Sequence, residues 1–425
     1  MNPHQRHASP ILRRLLVLIV AITSFAQTSN GATAGDWPQI LGPNRDGLAV
    51  GETVSAWESN PKIRWRMKCG AGYAGAAVSD GKVFVWHRDD KQETLDCLAT
   101  NDGRSLWQAN FPAIYRGGVD ADRGPRCVPL VSGDQVFVYG AAGDLSAVAV
   151  SDGTTQWTRQ LRTEYDADDG YFGAGSSPIV VGSTLIVAVG GNERSGLVAL
   201  DTQSGKTRWT EVDQEAAYAS PIAVEIEGQT RIVAVLRLQT VMIDPETGKI
   251  LGEFDFGQRG PTVNAATPIT RDDKLFLTAS YGVGCRMLDM NSTPLKNTWH
   301  SDDVISSQYV TPVLIDQWLY AITGREDFGT GELLCVRWSD GEVAWRRPGF
   351  QTAHLMGLGN KILAQRVSGQ LELFAAEPKA FRSLATMDLP AGTYRALPAF
   401  SDGTLYCRRN LSPTESELIA IELNQ

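Results

Sequence analysis

Apolar residues along this chain come in short runs rich in valine, isoleucine, leucine and aromatics, punctuated by glycine, aspartate and serine. Such runs read as β-strands; helical repeats would need apolar residues every third or fourth position. The runs return in a fixed order. A first cassette holds a short apolar strand, often preceded by Ser-Pro or Thr-Pro, then a turn and a second strand. It appears as "GAAVSDGKVFVW", "CVPLVSGDQVFVY", "SSPIVVGSTLIVAV", "ASPIAVEIEGQTRIVAV", "ATPITRDDKLFLTA", "VTPVLIDQWLYAI", "HLMGLGNKILAQ" and "ALPAFSDGTLYCR", eight copies in all. A closing cassette holds a third strand, a turn and a fourth strand that usually ends in tryptophan. It appears as "CLATNDGRSLW", "AVAVSDGTTQW", "VALDTQSGKTRW", "MIDPETGKILGEF", "MLDMNSTPLKNTW" and "CVRWSDGEVAW", with "LFAAEPKAFRSLATM" a degenerate seventh.

Trp65, Trp107, Trp157, Trp209, Phe254, Trp299 and Trp345 lie 42 to 52 residues apart. Four short strands in a period of about 40–50 residues predict a β-propeller blade. The chain ends set the count. "ELIAIEL", residues 417–423, is a third strand without its fourth, and "KIRWRM", residues 62–67, is a fourth strand with nothing before it. Pairing them completes an eighth blade and removes the sheet edges an open array would expose. The expectation is an all-β, eight-bladed β-propeller over residues 62–425 with four antiparallel strands per blade. Residues 27–61 form a leader crossing one face.

Within "VALDTQSGKTRW", Asp201 and Gly205 suit the turn between third and fourth strands. Trp209 then projects from the outer strand toward the next blade, and burying such a ring contributes roughly 2–3 kcal/mol. Outer strands lie far from the central channel, so these tryptophans read as ties between blades and not as ligand-stacking groups.

These tryptophan-ended cassettes resemble the tryptophan-docking repeats of the PQQ-like propeller superfamily, and "DWPQILGPNRDG" is similar to the leader of its exported members. The superfamily includes quinoprotein alcohol dehydrogenases and the propeller lipoprotein of the outer-membrane β-barrel assembly machinery. The resemblance covers about residues 62–425; it implies a fold and leaves the chemistry open.

The first 26 residues read as a signal peptide. Arg6, Arg13 and Arg14 precede the apolar run "LLVLIVAI", with Ser24-Phe25-Ala26 or Ala32-Thr33-Ala34 as cleavage sites. No later run is long enough to span a bilayer, so the protein is expected to be exported, periplasmic or extracellular, and monomeric. A net charge of −9 argues against a nucleic-acid partner. Six scattered cysteines permit 15 pairings, and small buried hydrophobes are the favoured reading.

No catalytic constellation emerges. A quinoprotein dehydrogenase resembling this fold would hold PQQ and Ca²⁺ on the axis and usually adds two adjacent cysteines; none are adjacent here. His87, His300 and His354 are not spaced as metal ligands, and the acidic loop "YDADDGYF" lacks the EF-hand pattern. No metal site and no cofactor are therefore expected, with PQQ plus Ca²⁺ as the alternative. Binding is expected at the channel mouth. The residues three before the first-strand proline position are Tyr73, Arg126, Gly175, Tyr218, Ala265, Tyr309, Thr352 and Arg395, with His354 an alternative to Thr352 in the weak seventh blade. Tyr73, Arg126, Tyr218, Tyr309 and Arg395 have a hot-spot composition, and the charges of "DADRGPR" (120–126) lie beside them. The reading is a non-enzymatic scaffold that binds an envelope protein or a small polar ligand there. The alternatives are an atypical PQQ-dependent dehydrogenase and a polysaccharide- or sugar-binding propeller.

Overall fold

The computed structural model describes residues 35–423 together with Met1. The expected signal peptide and both of its cleavage sites lie outside the described residues. Eight four-stranded sheets form the described chain. They are blades 1 (residues 77–112), 2 (130–160), 3 (179–211), 4 (222–255), 5 (269–301), 6 (313–347) and 7 (353–388). Blade 8 joins residues 399–422 to 62–69. Neighbouring strands within a blade are antiparallel. The eighth blade closes as the chain ends predict: Lys62–Cys69 lies beside Ser416–Glu422, with Lys62 opposite Glu422 and Cys69 opposite Ser416.

The middle strands of each sheet are largely buried on both faces while the outermost strand alternates toward solvent, so the apolar core lies between blades. Phe84, Trp86, Leu95 and Cys97 of blade 1, for instance, pack with Val131, Val136 and Val138 of blade 2. All six cysteines are free and buried in this packing. Among the described residues no helix is long and apolar enough to cross a membrane.

The tryptophan ties have a repeated geometry. Trp157 of blade 2 donates its indole N–H to the Thr202 carbonyl of blade 3 at 2.9 Å. Its ring lies flat against Gly205 (φ 66°), where a Cβ would sit 2.7 Å from the indole. Glycine is required there twice over, by the left-handed turn and by the ring. Trp65, Trp107, Trp209 and Trp299 repeat the arrangement on Gly103, Gly153, Gly248 and Gly341. Trp345 keeps the indole bond, to Glu377 of blade 7, but meets Phe381 edge-on at 5.7 Å, no glycine standing in that turn.

The serines and threonines before the inner-strand prolines form a belt around the channel. Ser177 Oγ accepts from the Val128 N–H, Ser220 Oγ from the Ser177 N–H, and Thr311 Oγ1 from the Thr267 N–H, each at 2.9 Å. Thr267 Oγ1 accepts from the Ser220 N–H at 3.3 Å. The hydroxyl thus stitches blade to blade beside a proline that has no N–H to give.

The described part of the leader, residues 35–61, occupies the face opposite the loops that feed the inner strands. Trp37 and Val78 exchange backbone hydrogen bonds at 2.8 Å, the Val131 N–H donates to Pro38, and Ala49 and Gly47 bracket Gly357 of blade 7. Gly357 leaves the space that the Leu48 side chain fills. Between these anchors Arg45, 2% exposed, enters the channel. It donates to Gln39, to the Ser177 and Pro221 carbonyls at 3.1 and 2.8 Å, and to the Pro178 carbonyl. Complete burial lowers its pKa to about 9.

Candidate functional site

With the leader in one end of the channel, the opposite mouth is built by the loops that enter the inner strands and by those joining second to third strands. The five residues singled out from the sequence stand there, and contacts link them across blades. Arg395, before blade 8, is the centre. It donates to both carboxylate oxygens of Glu326 at 2.7 and 3.1 Å and to the Tyr73 phenol at 3.3 Å, and Asp120 lies 3.6 Å away. Burial works against its charge, yet the hydrogen bonds and attraction of Glu326 outweigh that and raise its pKa above the arginine norm. The Tyr309 phenol donates to the same carboxylate. Burial first, and the adjacent Glu326 charge second, push its own pKa well upward.

The network continues through rings. The guanidinium carbons of Arg395 and Arg126 lie 5.1 and 5.7 Å from the centre of the Tyr73 ring. Arg126 is also 5.9 Å from the Phe172 ring, which meets Tyr218 edge-on at 5.6 Å. Tyr218 accepts from the Phe172 N–H at 2.9 Å through its phenol oxygen. At the equivalent blade 3 position, Gly175 leaves the space that the Tyr218 ring occupies: a Cβ there would sit 2.4 Å from it. All five residues therefore belong to one connected arc from blade 6 through blades 8, 1, 2 and 3 to blade 4. In blade 7 the member is His354 and not Thr352. His354 is buried, stacks near Tyr309 at 5.9 Å and bonds the Arg395 carbonyl at 2.7 Å.

Sequence reading missed Glu326 and Phe172. Glu326 comes from "GREDFGTGE", an insertion between the second and third strands of blade 6 that carries the 3-10 turn Glu326–Phe328. Its extra length over the equivalent blade 3 turn was the available signal. Asp120 was marked only as charge beside the ring. The acidic loop 165–172 spends its side chains separately: Asp166 accepts from Asn192, Asp168 from the Gly170 N–H, and Asp169 pairs with Arg162.

Five of the seven exposed large apolar residues between 35 and 423 lie on this face, the others being Val50 of the leader and Leu106 of the outer strand of blade 1. Ile114 (51% exposed), Val119 (72%), Tyr171 (38%), Phe328 (68%) and Leu411 (48%) all lie in its loops. Beside them, at the junction of blades 3 and 4, a polar cleft of about 460 Å³ is lined by Asn192, Asp213, Glu215, Arg237 and Arg259. A Ca²⁺-bound quinone would need several oxygen ligands and a carboxylate free to act as base. Here Glu326 and Asp120 are both engaged by Arg395, and no three His, Cys, Asp or Glu side chains converge as metal ligands among the described residues. The residues of this mouth do not fit that group.

The family model described as outer membrane protein assembly factor BamB matches residues 50–212 and 173–347. The assembly factor BamB of Shewanella oneidensis is 24% identical over 215 residues, which is 50% of this chain and 48% of that protein. The match thus spans about half the length of this curated relative. The crystal structure of BamB from Moraxella catarrhalis is similar at a TM-score of 0.61 and 14% identity, covering 85% of this chain and 98% of that one. Quinohemoprotein alcohol dehydrogenase from Comamonas testosteroni is similar at 0.72 and 13% identity, covering 93% and 82%. At such identities the two structures share the fold with this chain, and the fold alone.

Proposed function

This chain belongs to the propeller family described as outer membrane protein assembly factor BamB, and on that premise we propose that it is an exported scaffold whose channel mouth binds a protein of the cell envelope. The observation that carries this reading is the grouping of Ile114, Val119, Tyr171, Phe328 and Leu411 on the mouth face, around a half-buried arginine–tyrosine network. Apolar side chains left in water beside tyrosine and arginine are the composition of a protein-binding hot spot. The opposite face has its central opening filled by the leader, which supports recognition at the mouth. The bound partner rests on a rim that the eight-bladed ring holds rigid, and no bond is made or broken. The mature protein acts as a monomer.

The test is site-specific photocrosslinking in the native envelope. A photoreactive side chain at Val119 or Phe328 is expected to yield one adduct with an identifiable envelope protein. The same group at Thr247 or Asp340, in turns of the opposite face, is expected to yield none. Equal adducts from both faces, or recovery of the protein from the cytoplasmic fraction, would overturn the reading.

A further inference from the structure

Equivalent positions before the inner strands of blades 2 and 8 both carry arginine, and the two have opposite surroundings. Arg395 is neutralised by Glu326 and flanked by Asp120. Arg126, half-buried at the same mouth, has no carboxylate within 4.0 Å among the described residues. Its guanidinium donates to the backbone carbonyls of Gly124 and Asp122 at 2.8 and 3.0 Å. Those two bonds leave further N–H donors of the fork unused. The Asp122 carboxylate is turned to other work, accepting from the Gly72 and Gly124 N–H groups, both at 2.8 Å. Arg126 is therefore a cation positioned by backbone and by the Tyr73 and Phe172 rings, with no carboxylate in direct contact and Glu93 acting on it only at longer range.

The rim beside it carries two exposed apolar side chains. Val119 and Tyr171, both exposed, are tied together by the Val119 N–H bonding the Tyr171 carbonyl at 3.0 Å. A single planar guanidinium with spare donors matches the two oxygens of a carboxylate, and the flanking rings match an apolar or aromatic neighbour. We infer that Arg126 is a carboxylate-binding centre, and that the partner presents to it a carboxylate carried beside an apolar side chain. The source is either a peptide C-terminus or an aspartate or glutamate side chain. This rests on the mouth being the partner surface and adds the chemistry it reads.

The probe is a fluorescein-labelled hexapeptide of alternating valine and serine ending in tyrosine, in three forms: free C-terminal acid, C-terminal amide, and amide with one internal aspartate. Fluorescence polarisation is expected to show saturable binding of the acid or the aspartate form and at least tenfold weaker binding of the plain amide. Preference between the first two identifies the source. Arg126→Gln is expected to abolish the difference, Arg126→Lys to retain part of it, and added salt to weaken it. Equal binding of all three peptides, no saturable binding of any, or an unchanged acid-over-amide preference in Arg126→Gln would overturn the inference. Thermal unfolding of the variants checks that they fold. If none of the peptides binds the unsubstituted protein while Val119 still crosslinks to an envelope protein, the carboxylate site falls and the partner-binding face stands.

Discussion

The two halves of the ring are held together differently. From blade 2 to blade 6, each junction repeats local chemistry: a Ser or Thr hydroxyl accepting a neighbour's N–H on the inside, and in most cases a tryptophan on a glycine turn outside. Between blades 7 and 8 the tryptophan tie is missing, although Trp65 of blade 8 still docks on Gly103 of blade 1. Ala385 stands where six of the other seven outer strands carry tryptophan, opposite Leu373 as Trp209 is opposite Ala199, and blade 4 has Gly252 there. Blade 8 has no turn to receive one, because its third and fourth strands come from opposite ends of the chain. Long-range groups take over. Arg408, 1% exposed, makes five hydrogen bonds: to the Gly70, Ala71, Ala74 and Trp86 carbonyls and to Ser416. Trp57 of the leader donates to the Thr386 carbonyl at 3.0 Å, covering the missing tie, and Glu52 accepts from the Asp402 and Gly403 N–H groups. A repeat can supply every junction except the one where it begins and ends.

The largest expected effect is at that junction. Arg408→Met takes a donor from four buried carbonyls, of which Gly70 keeps the Ser416 hydroxyl and Ala71 the Arg88 N–H, and should cost about 3 kcal/mol, read as a fall in the urea midpoint. A loss under about 1 kcal/mol would mean that strand pairing alone closes the ring. Next comes pH. Glu93 of blade 1, which accepts from the Ala141 N–H of blade 2, is pushed up to about 7 by burial. The folded state then holds this proton more tightly than the unfolded chain, where glutamate titrates near about 4.3. Its contribution is complete below that value and is lost as pH rises toward about 7, on the order of 3 kcal/mol by pH 8. Glu93→Gln should flatten the stability profile between pH 5 and 8, and an unchanged profile would assign the slope to other groups.

Replacing tryptophan by alanine compares a regular tie with its substitute. Trp107→Ala should cost about 2–3 kcal/mol and Trp57→Ala about 1, the difference following the ring area each buries. Equal shifts in thermal midpoint would show the leader tie to be as strong as the repeated one. The smallest effect is in the belt. Ser177→Ala removes one hydroxyl acceptor from the Val128 N–H and should cost about 1 kcal/mol, with faster amide exchange at Val128 as the specific sign.

Much of this was legible in the residues. Alternation and turn chemistry act over a few positions, so the strands, the blade count, the closing pair and the tryptophan ties could all be read from short quoted stretches. The Ser-Pro and Thr-Pro pairs were visible as strand starts, but their hydroxyls bond a different blade, and that use has no local signature. The mouth was half legible: a repeat makes positions equivalent, so counting from the proline brought Tyr73, Arg126, Tyr218, Tyr309 and Arg395 to one place.

Equivalence stops at position and does not reach environment. Whether an arginine is paired depends on what crosses the axis, and Glu326 lies 69 residues from Arg395 in the chain. No spacing rule links them, because the contact is made by a loop insertion in one blade meeting the start of another. The same holds for Arg45 in the channel and Arg408 at the closing junction, whose partners are separated in sequence by as many as 176 and 338 residues. A closed ring of eight sheets was readable from the residues alone, since local periodicity and repetition suffice for that. Which arginines are held by carboxylates or carbonyls across the ring, and which, like Arg126, have no carboxylate in contact, follows from distance in space, because the ring brings together residues that the chain keeps far apart.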